Sequence, residues 1–124
     1  MIESRFCTEI NVKAREAYNN SYVKGFHDGD PKPGEGYTIG RLAQFVANLH
    51  GEASELWESA RKKTLFSRCD KEGCSLTCSE EELADIVIRV FDTAYSLGIN
   101  IGSAIESKMA YNSTRPHKHG GKLA

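Results

Sequence analysis

Two short stretches carry carboxylates at a spacing that can do chemistry. LHGEASELWESAR, residues 49–61, holds Glu52 and Glu55, and EEELADIVIRVFD, residues 80–92, holds Glu82 and Asp85. Positions three apart fall near one another on a helix surface, so each pair can point the same way from a rigid rod. Two such rods packed together gather four carboxylates. Hard divalent cations such as magnesium take oxygen ligands of this kind, often completed by substrate phosphates.

The elements that must position these pairs are helices. From Thr38 to about Lys63, Ile39, Leu42, Ala43, Val46, Leu49, Ala53, Leu56, Trp57 and Ala60 form one apolar stripe, with Glu52 and Glu55 at its border and Glu58 on the solvated side. Trp57 lies on that stripe, which favours a core role over base stacking. Ser79 followed by Glu82 fits a capping box that opens another helix, running to about Leu97 and closed by Gly98. Glu82 therefore has two competing uses, as a cap or as a groove-facing ligand. The apolar face of this helix is broad enough to suggest burial against a second subunit as well as the rest of the chain. Weaker periodicity predicts a first helix over residues 8–24. A fourth is predicted over 102–113, on which Lys108, Tyr111, Asn112 and Arg115 share a stripe able to grip phosphate and sugar or base groups, or simply to serve as a solvated helix end.

Between these elements lie two loops. Residues 25–36 contain four glycines and two prolines and read as a surface linker, with Phe26 and His27 as residues that could cover a ligand. Residues 64–78 carry Cys69, Cys74 and Cys78. A structural zinc site usually has four ligands, and no histidine lies in this segment, so free thiols are the preferred reading, with Cys7 or His27 the only fourth ligands to nominate. The tail, residues 116–124, is basic.

At 124 residues the chain is expected to be one domain, burying roughly two thirds of its unfolded surface. Sixteen basic residues against seventeen acidic ones leave a formal charge of −1, so no global field recruits a nucleic-acid polymer or an anionic membrane. No apolar run approaches the ~20 residues needed to span a bilayer, and the N-terminus lacks a signal-peptide pattern; a cytoplasmic location is expected.

A single Glu-x-x-Glu is ordinary on a helix. Two pairs plus a cationic stripe supply what polyphosphate chemistry needs, a metal to bridge phosphate oxygens and cations to hold the remainder. The order LHGEASELWE, EEELADIVIRVFD, then KMAYNSTRPHKHGGK resembles the MazG-like nucleoside triphosphate pyrophosphohydrolases of the all-α NTP pyrophosphatase superfamily, over about residues 10–122. The resemblance implies an all-α, antiparallel bundle of about four helices, completed by dimerisation or tetramerisation. It implies magnesium, or manganese in its place, on Glu52, Glu55, Glu82 and Asp85, with Asp92 as an additional or outer ligand. Lys108, Asn112 and Arg115 match the phosphate-contacting cluster, with Tyr111 and Lys122 beside them as substrate contacts. The implied reaction hydrolyses an NTP or dNTP between its α and β phosphates, giving a monophosphate and pyrophosphate, in nucleotide-pool housekeeping. The cysteine loop departs from the family pattern. A competing expectation is a helical dimer that binds nucleotide or protein without hydrolysis, and a third is a zinc-stabilised interaction module.

Overall fold

The computed structural model describes residues 2–118. Four helices form in chain order: α1 (Arg5–Val23), α2 (Ile39–Arg61), α3 (Cys78–Ser96) and α4 (Ile101–Ser113). Each begins where a short polar side chain accepts a backbone N–H of the first turn: Ser4, Thr38, Thr77 and Asn100. This satisfies a donor that the helix cannot pair internally. Ser4 starts α1 three residues before the expected position. None of the described helices is long and apolar enough to cross a membrane.

The start of α3 corrects the sequence reading. Thr77, not Ser79, is the cap: its hydroxyl accepts from Glu80 N–H at 3.2 Å, and Glu80 Oε1 accepts from Thr77 N–H at 2.9 Å. The capping carboxylate is therefore Glu80, and Glu82 is released from that role. The cause lies upstream. Residues 64–78 fold back on themselves, with Cys69 N–H donating to Leu76 O at 2.9 Å and Cys78 N–H to Ser67 O at 2.8 Å, which delivers the chain into its helix two residues early.

α3 is the central rod. It packs against both α1 and α2, and α4 packs mainly on α1. Glu55 meets Glu82 while Glu52 reaches Arg89, so α2 and α3 run antiparallel. Tyr18 packs at a tilt against Tyr95 with centroids 4.9 Å apart, and Cys7 lies beside Asn100, which makes α1 antiparallel to α3 as well. The core is small: Cys7, Ala14, Ala17 and Tyr18 from α1, Phe45 from α2 and Ala94 from α3.

Among the helices, α2 touches only α3. Its apolar stripe is too wide for one neighbour, and much of it faces outward, including Ile39, Val46 and Trp57. Trp57 is 65% exposed, contrary to the core role expected from its place on the stripe. Leu83, Val87 and Ile88 of α3 are half exposed as well.

Two close approaches fix the far end of the bundle. Gly34 N–H donates to Ser96 O at 2.9 Å, and Gly98 turns there at φ 71°, where a Cβ would sit 3.1 Å from Gly34 Cα. At the start of α4, Gly102 lies against α1 so tightly that a Cβ would meet Cys7 O at 2.6 Å, while Gly102 N–H donates to Asn11 Oδ1 at 2.9 Å. Gly102→Ala must push α4 off α1. We expect a loss of about 1–3 kcal/mol, read as a lower urea midpoint at unchanged m-value. A variant as stable as the parent would show that this helix contact is loose.

Candidate metal centre and adjoining cleft

The antiparallel pairing of α2 and α3 brings the expected carboxylates together. Oxygens of Glu52, Glu55 and Glu82 lie within 4.8 Å of one another, and so do oxygens of Glu81, Glu82 and Asp85. Glu82 belongs to both triads and is 8% exposed. Glu81 joins the cluster although spacing alone gave it no role. Like charges this close repel one another, most strongly where burial removes the screening by water. The surroundings only partly offset this. Arg89 Nε lies 3.3 Å from Glu52 Oε1, and Lys71 pairs with Glu81. Buried Glu52 Oε2 and Glu82 Oε2, one from each helix, have no hydrogen-bond partner among the described residues. Glu58 stays outside the cluster, pairing with Arg61 at 3.0 Å.

Burial, followed by hydrogen bonding and repulsion from Glu55 and repulsion from Glu81 and Asp85, pushes the Glu82 carboxyl up to about 7 from 4.5. Burial likewise raises Asp85, with repulsion from Glu81 and Glu55 adding to it and Lys71 and Arg89 opposing it. Between 4.5 and about 7 the folded chain holds a proton at Glu82 that the unfolded chain has lost, so stability falls as pH rises through that window. The metal-free protein should lose about 2 kcal/mol between pH 5 and pH 8, several degrees in melting temperature, and millimolar magnesium should restore it at pH 8. A melting temperature flat across this range in EDTA would show that Glu82 is not strained by its neighbours.

Beside the cluster, between α1 and α3, opens a cavity of about 780 Å³, within the range of small-molecule sites. Glu52, Asp85 and Arg89 form one wall, Lys13, Lys24 and Lys71 supply cations, and Phe26 and Phe91 supply apolar rings. Periodicity missed Lys13, Lys24 and Lys71. It missed Arg89 too, although Arg89 lies four residues beyond Asp85 on the same side of α3, a signal that could have found it.

The structure does not bring every expected site residue here. Lys108 Nζ lies 4.7 Å and Arg115 Cζ 5.6 Å from the Tyr111 ring centre, so these three do cluster, and Asn112 is exposed nearby on α4. None of them lines the cavity. The reason is topological: α4 leaves the C-terminal end of α3 and packs on the N-terminal end of α1, where Ser4 Oγ donates to Glu106 Oε1 at 2.6 Å, whereas the carboxylates occupy the first turns of α3. Lys122 lies outside the described residues.

Asp92 also stands apart from both triads, as a partner of His27. The His27 ring is 3% exposed, with Nε2 2.7 Å from Asp92 Oδ1 and Nδ1 2.8 Å from Asp30 Oδ2. Arg41 completes the clasp, donating from Nε to Asp30 Oδ1 and from a terminal nitrogen to Phe26 O, both at 2.9 Å. Burial pushes the Asp30 carboxyl up, but hydrogen bonds and charge from Arg41 and His27 outweigh it and hold that carboxyl below its ordinary value. His27 is thus a buried tie between the glycine-rich loop and α3, whereas Phe26 beside it lines the cavity. No protein-family model matches this chain, and no curated protein or solved structure matches it closely enough to assign it to a family.

Proposed function

We propose that this chain hydrolyses a nucleoside triphosphate between the α and β phosphates, releasing a nucleoside monophosphate and pyrophosphate, with magnesium held by Glu52, Glu55, Glu82 and Asp85. One observation carries the reading: two buried carboxylate oxygens without hydrogen-bond partners among the described residues, from facing helices, belong to a cluster in which burial first, and then the neighbouring carboxylates, raise Glu82 to about 7. A proton relieves that repulsion below neutrality, and a hard divalent cation fits the same donors above it. The motif resemblance to MazG-like enzymes points the same way. Magnesium, when bound, neutralises triphosphate charge and acidifies a water.

The chain's own residues do the rest. Lys13, Lys24 and Arg89 face the cavity and hold phosphate oxygens, while Phe26 and Phe91 flank the base or sugar and exclude water. The outward apolar faces of α2 and α3 support assembly with a second copy, whose α4 stripe of Lys108, Tyr111, Asn112 and Arg115 then serves a neighbouring site.

The test is a panel of NTPs and dNTPs with magnesium, assayed for pyrophosphate and monophosphate. We expect equimolar release, abolished by EDTA. Nucleotide binding without release would favour a non-catalytic binding protein, and a folded chain that releases nothing from any nucleotide ends the hydrolase reading.

A further inference from the structure

The loop between α2 and α3 carries sulfur chemistry that phosphate hydrolysis does not use. The backbone pairing of residues 67–69 with 76–78 closes a tight hairpin whose turn passes through Gly73 at φ 79°. Arg68 Nε donates across it to Cys74 O at 3.3 Å. The fold-back sets the Cα atoms of Cys69 and Cys74 6.5 Å apart and pairs their sulfurs as a disulfide, in place of the free thiols expected from sequence.

Glu81 supplies a third donor. The sulfurs of Cys69 and Cys74 and a carboxylate oxygen of Glu81 lie within 4.8 Å of one another. Cys69 is buried, and the Glu81 side chain is 13% exposed. The fourth ligands nominated from sequence lie elsewhere, since Cys7 lies beside Asn100 where α1 meets α4 and His27 is held between Asp30 and Asp92. Two sulfurs and one carboxylate differ in kind from the all-oxygen cluster next door. Thiolates select borderline and soft cations, whereas magnesium prefers oxygen alone.

We propose that the chain with its Cys69–Cys74 bond reduced binds one thiophilic divalent cation, zinc above others, through Cys69, Cys74 and Glu81. Three protein ligands leave one tetrahedral position open. At bond lengths near 2.3 Å the two thiolates stand about 3.8 Å apart, so once the bond opens the sulfurs must separate by side-chain rotation while the Cα atoms stay 6.5 Å apart. Charge balance is built in. Two thiolates and a carboxylate bring −3, the cation +2, and Lys71, between the two cysteines in sequence and already paired with Glu81, brings the remaining +1.

The steps balance. A dithiol reductant opens the bond, becoming a disulfide itself and transferring two electrons and two protons to Cys69 and Cys74. Cation binding then releases those two protons. Disulfide and metal site are thus alternative states of the same sulfurs. The inference does not depend on the hydrolase reading.

Cobalt(II) reports such a site optically. The full chain is reduced with a phosphine, freed of it without air, checked by thiol counting and titrated with cobalt, then with zinc. We expect a thiolate-to-cobalt charge-transfer band that saturates at one cobalt per chain, disappears with one equivalent of zinc, and is indifferent to excess magnesium. Cys69→Ser and Cys74→Ser should each remove it, and Glu81→Gln should weaken cobalt by more than roughly tenfold, the loss that even outer partners cause. Cys78→Ser, whose sulfur is not in the triad, should leave it intact and shows that cysteine replacement in the hairpin is tolerated. Absence of the band with every thiol free, its survival in the Cys69→Ser/Cys74→Ser double variant, or a bond that resists the phosphine in the folded chain would each overturn the proposal. Pyrophosphate release is not among the readouts, so failure of the hydrolase reading leaves this result distinct.

Discussion

Glu82→Gln should abolish magnesium-dependent pyrophosphate release, lowering kcat by roughly a thousandfold, the several kcal/mol that a positioned metal contributes. The same substitution should stabilise the metal-free protein at pH 8, by about 2 kcal/mol. Both effects have one origin. Glu82 is the carboxylate shared by the two triads, buried at 8% exposure with one oxygen unpartnered and its carboxyl raised to about 7. A neutral amide of the same shape removes the repulsion with Glu55, Glu81 and Asp85, and with it a charged ligand. Opposite movement of activity and stability is the mark of a group held in a strained environment for function. Calorimetric magnesium titration, thermal melts in EDTA and kcat on the preferred nucleotide measure the three quantities. If stability fell together with activity, Glu82 would be a structural residue, and the metal centre would have to be sought elsewhere. Glu58→Gln, outside the cluster and paired with Arg61, is the control and should leave turnover unchanged.

What sequence revealed and concealed follows from the range over which each feature is determined. Helical period alone places Glu52 with Glu55 and Glu82 with Asp85, because both pairs sit inside long periodic helices where register is local. The four-helix architecture was legible for the same reason. The cap of α3 was not, because Thr77-x-x-Glu80 and Ser79-x-x-Glu82 both satisfy the capping pattern. The choice falls to the hairpin pairing of Cys78 with Ser67 and Cys69 with Leu76, which no local signal encodes. Trp57 shows another limit. Periodicity says which residues share a face of α2 but not whether a neighbour covers it, and among the described helices only α3 packs against α2. The α4 stripe shows a third, since cations that share a face need not share a site with carboxylates at the other end of the bundle. Lys71 sits near the cluster by virtue of the hairpin, so only the fold reveals it, whereas Glu81 lies four residues before Asp85 on α3 and could have been found from the same helical spacing.

His27→Ala should cost about 3–5 kcal/mol, the effect of removing one member of a buried polar network and leaving the others unpaired. His27 reaches Asp92 on α3, 65 positions along the sequence, at 2.7 Å and Asp30 on its own loop at 2.8 Å. Its ring also stacks on Tyr18 at 4.4 Å between centroids, so deletion opens a cavity in a core that has few large side chains. The loss has two parts that can be separated. Asp92→Asn keeps the volume and the hydrogen-bonding capacity and should cost less than half as much; Asp28→Ala, exposed on the same loop, should cost nothing measurable. The functional consequence travels through the backbone. Arg41 holds Phe26 O at 2.9 Å, and Phe26 lines the cavity, so loosening residues 25–36 should raise KM for nucleotide more than it lowers kcat while magnesium affinity at the carboxylates stays within about twofold. Urea unfolding, steady-state kinetics and magnesium titration on the three variants read these outcomes. A fall in magnesium affinity matching that of Glu82→Gln would show that Asp92 and His27 act within the metal centre. A His27→Ala protein within about 1 kcal/mol of the parent would show that the loop is held to α3 by Arg41 and Asp30 alone.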